Sequence, residues 1–196
     1  DFDIHVSPIL NVAIGTNSAY GDLNSKSTFI NTRGVEVRGN INKKLGFYTM
    51  LTDNQSSSSN FLVNFYKTYQ GYPYQSLVKI KNDNYDLLQG DYFSALGYFA
   101  FKPIKSLTMT FGHDKNFIGS GIRSMVLSDF SAPYLQLKTD LRIGRLQYLS
   151  ILGQMTNLQV VNPPFSQITN APKYMAFHHL NINLTKTLNV GLFESV

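Results

Sequence analysis

Residues 134–143 read Tyr134-Leu135-Gln136-Leu137-Lys138-Thr139-Asp140-Leu141-Arg142-Ile143, and every second side chain is polar. Successive side chains of a strand leave on opposite faces, so this period of two predicts a strand. Leu135, Leu137, Thr139, Leu141 and Ile143 share one face, and Gln136, Lys138, Asp140 and Arg142 share the other. A face with three ionisable groups cannot line a dry core without heavy desolvation cost.

The same rhythm recurs along the chain. Asp1-Phe2-Asp3-Ile4-His5-Val6 alternates, as does Gly34-Val35-Glu36-Val37-Arg38. Leu107, Met109 and Phe111 oppose Thr108 and Thr110, and Leu180, Ile182 and Leu184 oppose Asn181 and Asn183. Nine strands are expected, at 2–14, 27–41, 45–53, 90–101, 105–115, 132–143, 145–156, 173–184 and 188–196. These exceed the roughly five to six residues usual in soluble sheets and reach the ~9–11 that cross a bilayer at a tilt. Short turns at 42–44, 102–104, 144 and 185–187 alternate with longer connections at 15–26, 54–89, 116–131 and 157–172. Outer-membrane barrels sort their turns and loops in this way. The expected fold is therefore all-β, an antiparallel transmembrane β-barrel in the bacterial outer membrane, whose lipid surrounds the apolar face. The rival expectation is a soluble antiparallel barrel with its polar face outward. It draws support from the absence of Trp for an interfacial girdle, a role that Tyr and Phe can fill.

Composition agrees. Of 196 residues, 43% are hydrophobic and 15% charged, with 12 Tyr and 14 Phe; mean hydropathy is −0.13. The longest apolar run, Ala95 to Phe101, is too short for a spanning helix. Without cysteine, disulfides, thiolate metal sites and thiol nucleophiles are excluded. The net charge of +5 comes from scattered Lys and Arg, so no nucleic-acid partner is expected. No signal-peptide pattern precedes the opening strand, and the chain reads as mature or trimmed.

One segment breaks the alternation. After Ser56-Ser57-Ser58-Ser59, apolar side chains recur at Phe61, Leu62, Phe65, Tyr66 and Tyr69, one helical face. A helix over 56–70, capped by a Ser and stopped by Gly71 and Pro73, is expected in an extracellular loop as a plug for the barrel mouth. The loop 113–131 is expected to fold inward as well, because it mixes Phe117, Ile118, Met125, Val126 and Leu127 with charged groups. An odd strand number and a final strand broken off at Val196 point to the N-terminal part of a larger barrel, within a single domain spanning 1–196.

Two stretches carry a family resemblance. Asn31-Thr32-Arg33-Gly34-Val35-Glu36-Val37-Arg38-Gly39 continues through Gly46-Phe47-Tyr48-Thr49 to Thr52-Asp53-Asn54-Gln55. Phe111-Gly112-His113-Asp114-Lys115-Asn116-Phe117-Ile118-Gly119 continues through Arg123-Ser124-Met125 to Leu127-Ser128-Asp129. These resemble RemB-type gliding-motility proteins of Bacteroidetes, and through them the broader Wzi-like capsule-assembly barrels. Lys173 to Leu180 and Gly191 to Ser195 fit the same pattern, whereas Ile122 stands where the family often has an aromatic. The resemblance implies a non-enzymatic outer-membrane barrel that assembles or holds surface polysaccharide, or serves gliding or secretion machinery.

The candidate polar network comprises Arg33, Glu36 and Arg38, then Asp53 and Asn54, then His113, Asp114, Asn116, Arg123, Ser128 and Asp129. Glu36 and Arg38 are expected on the lumen face, bracing the wall or contacting polymer. Asp53 and Asn54 are expected to reach the plug. Arg123 is expected to pair with Asp114 or Asp129, and other loop charges with Glu36 and Arg38. His113, Asp114 and the nearby serines do not form a triad readable from local spacing. His178 and His179 face opposite ways and cannot easily share an ion. No catalytic, cofactor or metal site is expected. A solute channel is the alternative function, and an outer-membrane hydrolase with a His on its lipid face the second.

Overall fold

The computed structural model describes residues 1–17, 26–57, 60–69, 72–75, 78–80, 89–161 and 167–196. In chain order the elements are β1 (Phe2–Asn17), β2 (Lys26–Ile41), β3 (Leu45–Ser57), α1 (Asn60–Tyr69), β4 (Lys79–Ile80), β5 (Gln89–Ile104), β6 (Leu107–Asp114), β7 (Tyr134–Ile143), β8 (Leu146–Val161), β9 (Gln167–Asn183) and β10 (Asn189–Ser195). All strands join one antiparallel sheet in the order β1-β2-β3-β5-β6-β7-β8-β9-β10, with the two-residue β4 added beside β5. Each long strand thus pairs with its neighbours along the sheet, the meander that hairpins produce. Among the described residues β1 and β10 do not pair, and the sheet is not closed. No helix among them is long and apolar enough to cross a membrane.

The register converts the alternation into two faces. Ile4, Gly39, Phe47, Phe99, Phe111, Leu137, Leu152 and Ala176 are successive cross-strand partners, an apolar row that spans the sheet. Along β1 the same face carries Phe2, Ile4, Val6, Leu10, Val12 and Ile14, all exposed, with Ile14 at 83%. The opposite face presents Asp3, His5, Glu36, Arg38, Asn54, Thr110, Gln136, Lys138 and Asp140. On β8 and β9 that second face becomes apolar, and Ile151 and Phe177 are fully buried there. The sequence reading had not anticipated this patch.

α1 lies over the polar face. Val63 and Tyr72 are buried against each other, with Tyr66, Val78 and Tyr92 packed around them, and Tyr92 belongs to the polar face of β5. Gly90 makes room for this packing, since a Cβ there would lie 2.6 Å from Val78 and 3.2 Å from the Tyr72 hydroxyl.

Several expected boundaries move. β3 continues to Ser57, so Ser56 and Ser57 belong to the sheet and the helix begins at Asn60. Ser58, Ser59 and Gly71, the expected caps, lie outside the described residues. The helix buries Val63, which the expected face omitted, and leaves Phe61 exposed. The expected turn at 102–104 lies instead at 105–106, and the register between β5 and β6 shifts between Phe101 and Ile104. Pro103, which has no N–H to donate, sits inside that irregularity, a usual place for Pro in a sheet. β8 and β9 extend to Val161 and from Gln167, so most of the expected loop 157–172 is strand. The tight turn after β2 has Asn42 and Lys43 at φ 51° and 55°. Lys44 N–H donates to Ile41 O at 3.1 Å, as in the primed turns that match strand twist.

Candidate functional site

The polar face is organised as three clusters at different heights. Toward the short turn after β2, Arg38 lies 3.9 Å from Glu36, and Tyr48 donates to Glu36 at 3.3 Å. Tyr48 stacks on Tyr98 with ring centroids 5.4 Å apart. On β1, across from Arg38 and Glu36, His5 lies 3.1 Å from Asp3. These residues border an open cavity of about 600 Å³. Glu36 and Arg38 approach each other on the polar face, and their partners lie on the wall itself. The expected pairing of loop charges with them is corrected: the loops anchor higher up.

Higher on the sheet, Asn54 is buried. It accepts from Thr32 Oγ1 at 2.8 Å and donates to Thr52 Oγ1 at 3.1 Å and to Tyr92 O at 3.3 Å. It therefore ties β2, β3 and β5 together beneath α1. Gln75 donates to Ser94 at 3.3 Å, fastening the segment after the helix to the same face.

The third cluster anchors the loop between β6 and β7. Asn116 is buried, donates to Tyr134 Oη at 2.9 Å and to Gln136 Oε1, and accepts from Lys138 Nζ at 3.1 Å. A side-chain amide with donors and an acceptor in use is a strong fixed point in a loop. Next to it, Lys115 donates to Tyr74 O at 2.6 Å and lies over the Tyr74 ring. Burial lowers the Lys115 pKa from its ordinary value, opposed by the nearby Asp129 and Asp114 carboxylates. Tyr74 N–H donates to Phe130 O at 3.0 Å. Phe130 packs edge-on against Phe65 of α1 and against Tyr74, with centroids 6.0 and 5.1 Å away. Loop and helix thus form one assembly above the polar face.

Inside the loop, Ile118 and Leu127 pair as an antiparallel bridge. Ser124 Oγ bonds Ile118 O and accepts from Val126 N–H at 3.0 Å, and Ser128 Oγ accepts from Phe130 N–H at 3.3 Å. Both serines therefore serve turn geometry. Asp129 contributes charge near Lys115, and Asp114 pairs in register with Tyr134 on the polar face.

Other expected members of the network lie elsewhere. Arg33 and Asp53 are register partners on the apolar face, exposed and 3.4 Å apart. Thus Asp53 does not reach the helix. Their odd-numbered parity with Val35 and Leu51 already implied this face. His113 shares the apolar face with Phe111 and bonds Ala95 O at 3.0 Å through Nδ1. Arg123 is exposed; its guanidinium sits 5.0 Å over the Phe130 ring, and it makes no ion pair with Asp114 or Asp129. The expected carboxylate pairing of Arg123 is therefore replaced by a cation–π contact.

No family model, curated protein or solved structure matches this chain. The chemistry therefore has to be read from the clusters themselves. Among the described residues no group of three or more His, Asp or Glu is placed to hold a metal ion. His178 lies on the apolar face between its register partners Ser150 and Glu194. Its Nδ1 is hydrogen-bonded to Tyr148 Oη at 2.8 Å. That bond occupies the nitrogen a carboxylate would use to orient a catalytic imidazole. The contributions of Tyr48, Tyr98, Tyr74 and Tyr134 were missed from sequence. The alternation assigns Tyr48, Tyr98 and Tyr134 a face and leaves Tyr74 in a turn, but their partners come from neighbouring strands and a loop.

Proposed function

We propose that the chain forms part of the wall of an outer-membrane β-barrel, with its apolar face toward lipid and its polar face toward the lumen. One observation carries this reading: the exposed apolar band. On β1 it runs from Phe2 to Ile14, ~40 Å along the strand at about 3.3 Å per residue. At a tilt of about 45° that is ~28 Å of height, close to the apolar band of such barrels. In water so large an apolar surface would drive aggregation. Tyr48, Glu36, Arg38 and the buried amides then line a wet interior, which is where ionisable groups are tolerated. Among the described residues the edges of β1 and β10 are unpaired, and in lipid each edge needs a strand partner, since an open one leaves backbone groups unsatisfied.

In this reading α1 and loop 115–133 act as a plug at the extracellular mouth, and the barrel is a non-enzymatic surface-assembly protein. The resemblance to RemB-type and Wzi-like proteins supports a role in capsule polysaccharide assembly or attachment, or in gliding motility. The contacts among Phe65, Tyr74, Lys115 and Phe130, with Asn116 anchored to Tyr134, Gln136 and Lys138, support a closed mouth over an open solute channel.

Deletion of the gene tests the role. Loss of cell-bound polysaccharide to the medium, or loss of gliding, with rescue by the wild type, is the expected result. Unchanged surface polymer and motility would contradict it. The purified protein is expected to be silent in planar bilayers, and a stable open conductance would transfer the assignment to a solute channel.

A further inference from the structure

Where α1, residues 72–75 and loop 115–133 meet the upper ends of β1, β2 and β3, the structure forms a half-open cavity of about 490 Å³. Its walls are mainly apolar, built from Ile30, Leu62, Tyr72, Tyr92 and Phe130. Thr28, Ser56, Ser57 and Arg123 interrupt them, beside the hydroxyl-bearing Tyr72, Tyr74 and Tyr92, and two of these groups stand out. Arg123 borders the cavity with its guanidinium over Phe130, and it has no ion-pair partner among the described residues. Ser56 lines the wall at 7% exposure, and its Oγ has no hydrogen-bond partner among them. Buried hydroxyls are normally paired, so an unpaired one beside a cavity is a candidate partner for a ligand atom. A largely apolar pocket of this size with a few convergent polar groups is the usual form of a small-molecule site.

We infer that this cavity binds a small amphipathic carboxylate, an alkyl or aryl chain ending in an anionic head. The chain lies between Ile30, Leu62 and Tyr72, and a hydroxyl or ether oxygen carried on it would accept from Ser56 Oγ. The carboxylate meets Arg123, whose planar fork of donors matches its geometry. A sugar fits less well, because most of the lining surface is apolar and leaves ring hydroxyls facing it unpaired. The cavity is built from the helix, the loops and the strand ends. Ile14 and Phe29 of the apolar face also border it, but ligand titration reads this cavity and not the lipid contacts of the wall, so failure here would leave the proposed barrel standing.

The test uses decanoate, decanol and glucuronate, titrated against the protein in nanodiscs, with empty nanodiscs as the blank and ¹³C-carboxylate NMR and calorimetry as readouts. Decanoate is expected to bind saturably above the blank, and decanol about tenfold more weakly. Arg123→Gln alters an exposed side chain. It is expected to weaken decanoate about tenfold and leave decanol unchanged. Ile30→Phe narrows the cavity and is expected to weaken both. Absence of saturable decanoate binding to the wild type, full decanoate affinity in Arg123→Gln, or a preference for glucuronate would overturn the inference.

Discussion

Leu152→Arg is expected to block stable insertion, while Ser7→Arg is tolerated. Leu152 stands on the apolar face, 50% exposed, between Leu137 and Ala176. It lies ~20 Å along β8 from Leu146, or ~14 Å in height at a tilt of about 45°, near the middle of a bilayer. An Arg facing lipid at that depth costs about 2–4 kcal/mol. In water the same change at an exposed leucine would cost almost nothing, since surface substitutions usually stay within about 0.5 kcal/mol. Ser7 lies on the polar face of β1 opposite Glu36, where an added Arg gains a carboxylate. Heat-modifiability on gels after refolding into lipid reads both variants. Normal folding of Leu152→Arg would contradict the lipid assignment of this face.

Gly112→Val is expected to separate β6 from β5. A Cβ at Gly112 would stand 2.2 Å from Gly97 O and 2.5 Å from Tyr98 Cα. Both are backbone atoms of the paired strand, so no side-chain rotation relieves the clash. The cost sits at or above the upper end of the ~1–3 kcal/mol typical of overpacking, because the ladder itself must open. Gly144→Asn supplies the contrast. Gly144 has φ 59°, and nothing lies within 4 Å of its Cβ position. Asn tolerates that left-handed conformation, and this turn variant should fold as the wild type does. Circular dichroism and limited proteolysis distinguish the two. A Gly112→Val protein with native strand content and native protection would show that the β5–β6 register is wrong.

The sheet was largely legible because strand alternation is a local signal. In β7, Gln136, Lys138 and Asp140 fall on the face that the pattern assigns, opposite Leu135 and Leu137. The same signal, followed strictly, also places Arg33 and His113 with Val35 and Phe111. Grouping them by charge with Glu36 and Asp114 lost that information. The ends of β8 and β9 were hidden because polar and proline-containing stretches such as Asn157-Leu158-Gln159 and Asn170-Ala171-Pro172 resemble loop chemistry. Long hairpin pairing overrides that local preference. Phe61 and Val63 exchanged roles on α1 because the buried face of a short helix depends on what it meets. Here it meets Tyr72 and Tyr92, which no helical period encodes. Asn116 was included in the polar network. Its partners Tyr134 and Lys138 come from a strand across the loop, a relation fixed only by register.

The central claim is that alternate residues of the wall face lipid and water. The chain has no cysteine, so single cysteines placed in turn at positions 135 to 143 can each carry a spin label in the bilayer-reconstituted protein. Collision rates with oxygen, which concentrates in lipid, and with a water-soluble nickel complex then read the environment of each site. The account predicts a period of two. Positions 135, 137, 139, 141 and 143 should be oxygen-accessible and shielded from nickel, whereas 136, 138, 140 and 142 should show low oxygen collision throughout. Nickel accessibility at 135, 137 and 141, equal to that of a solvated surface strand, would contradict it.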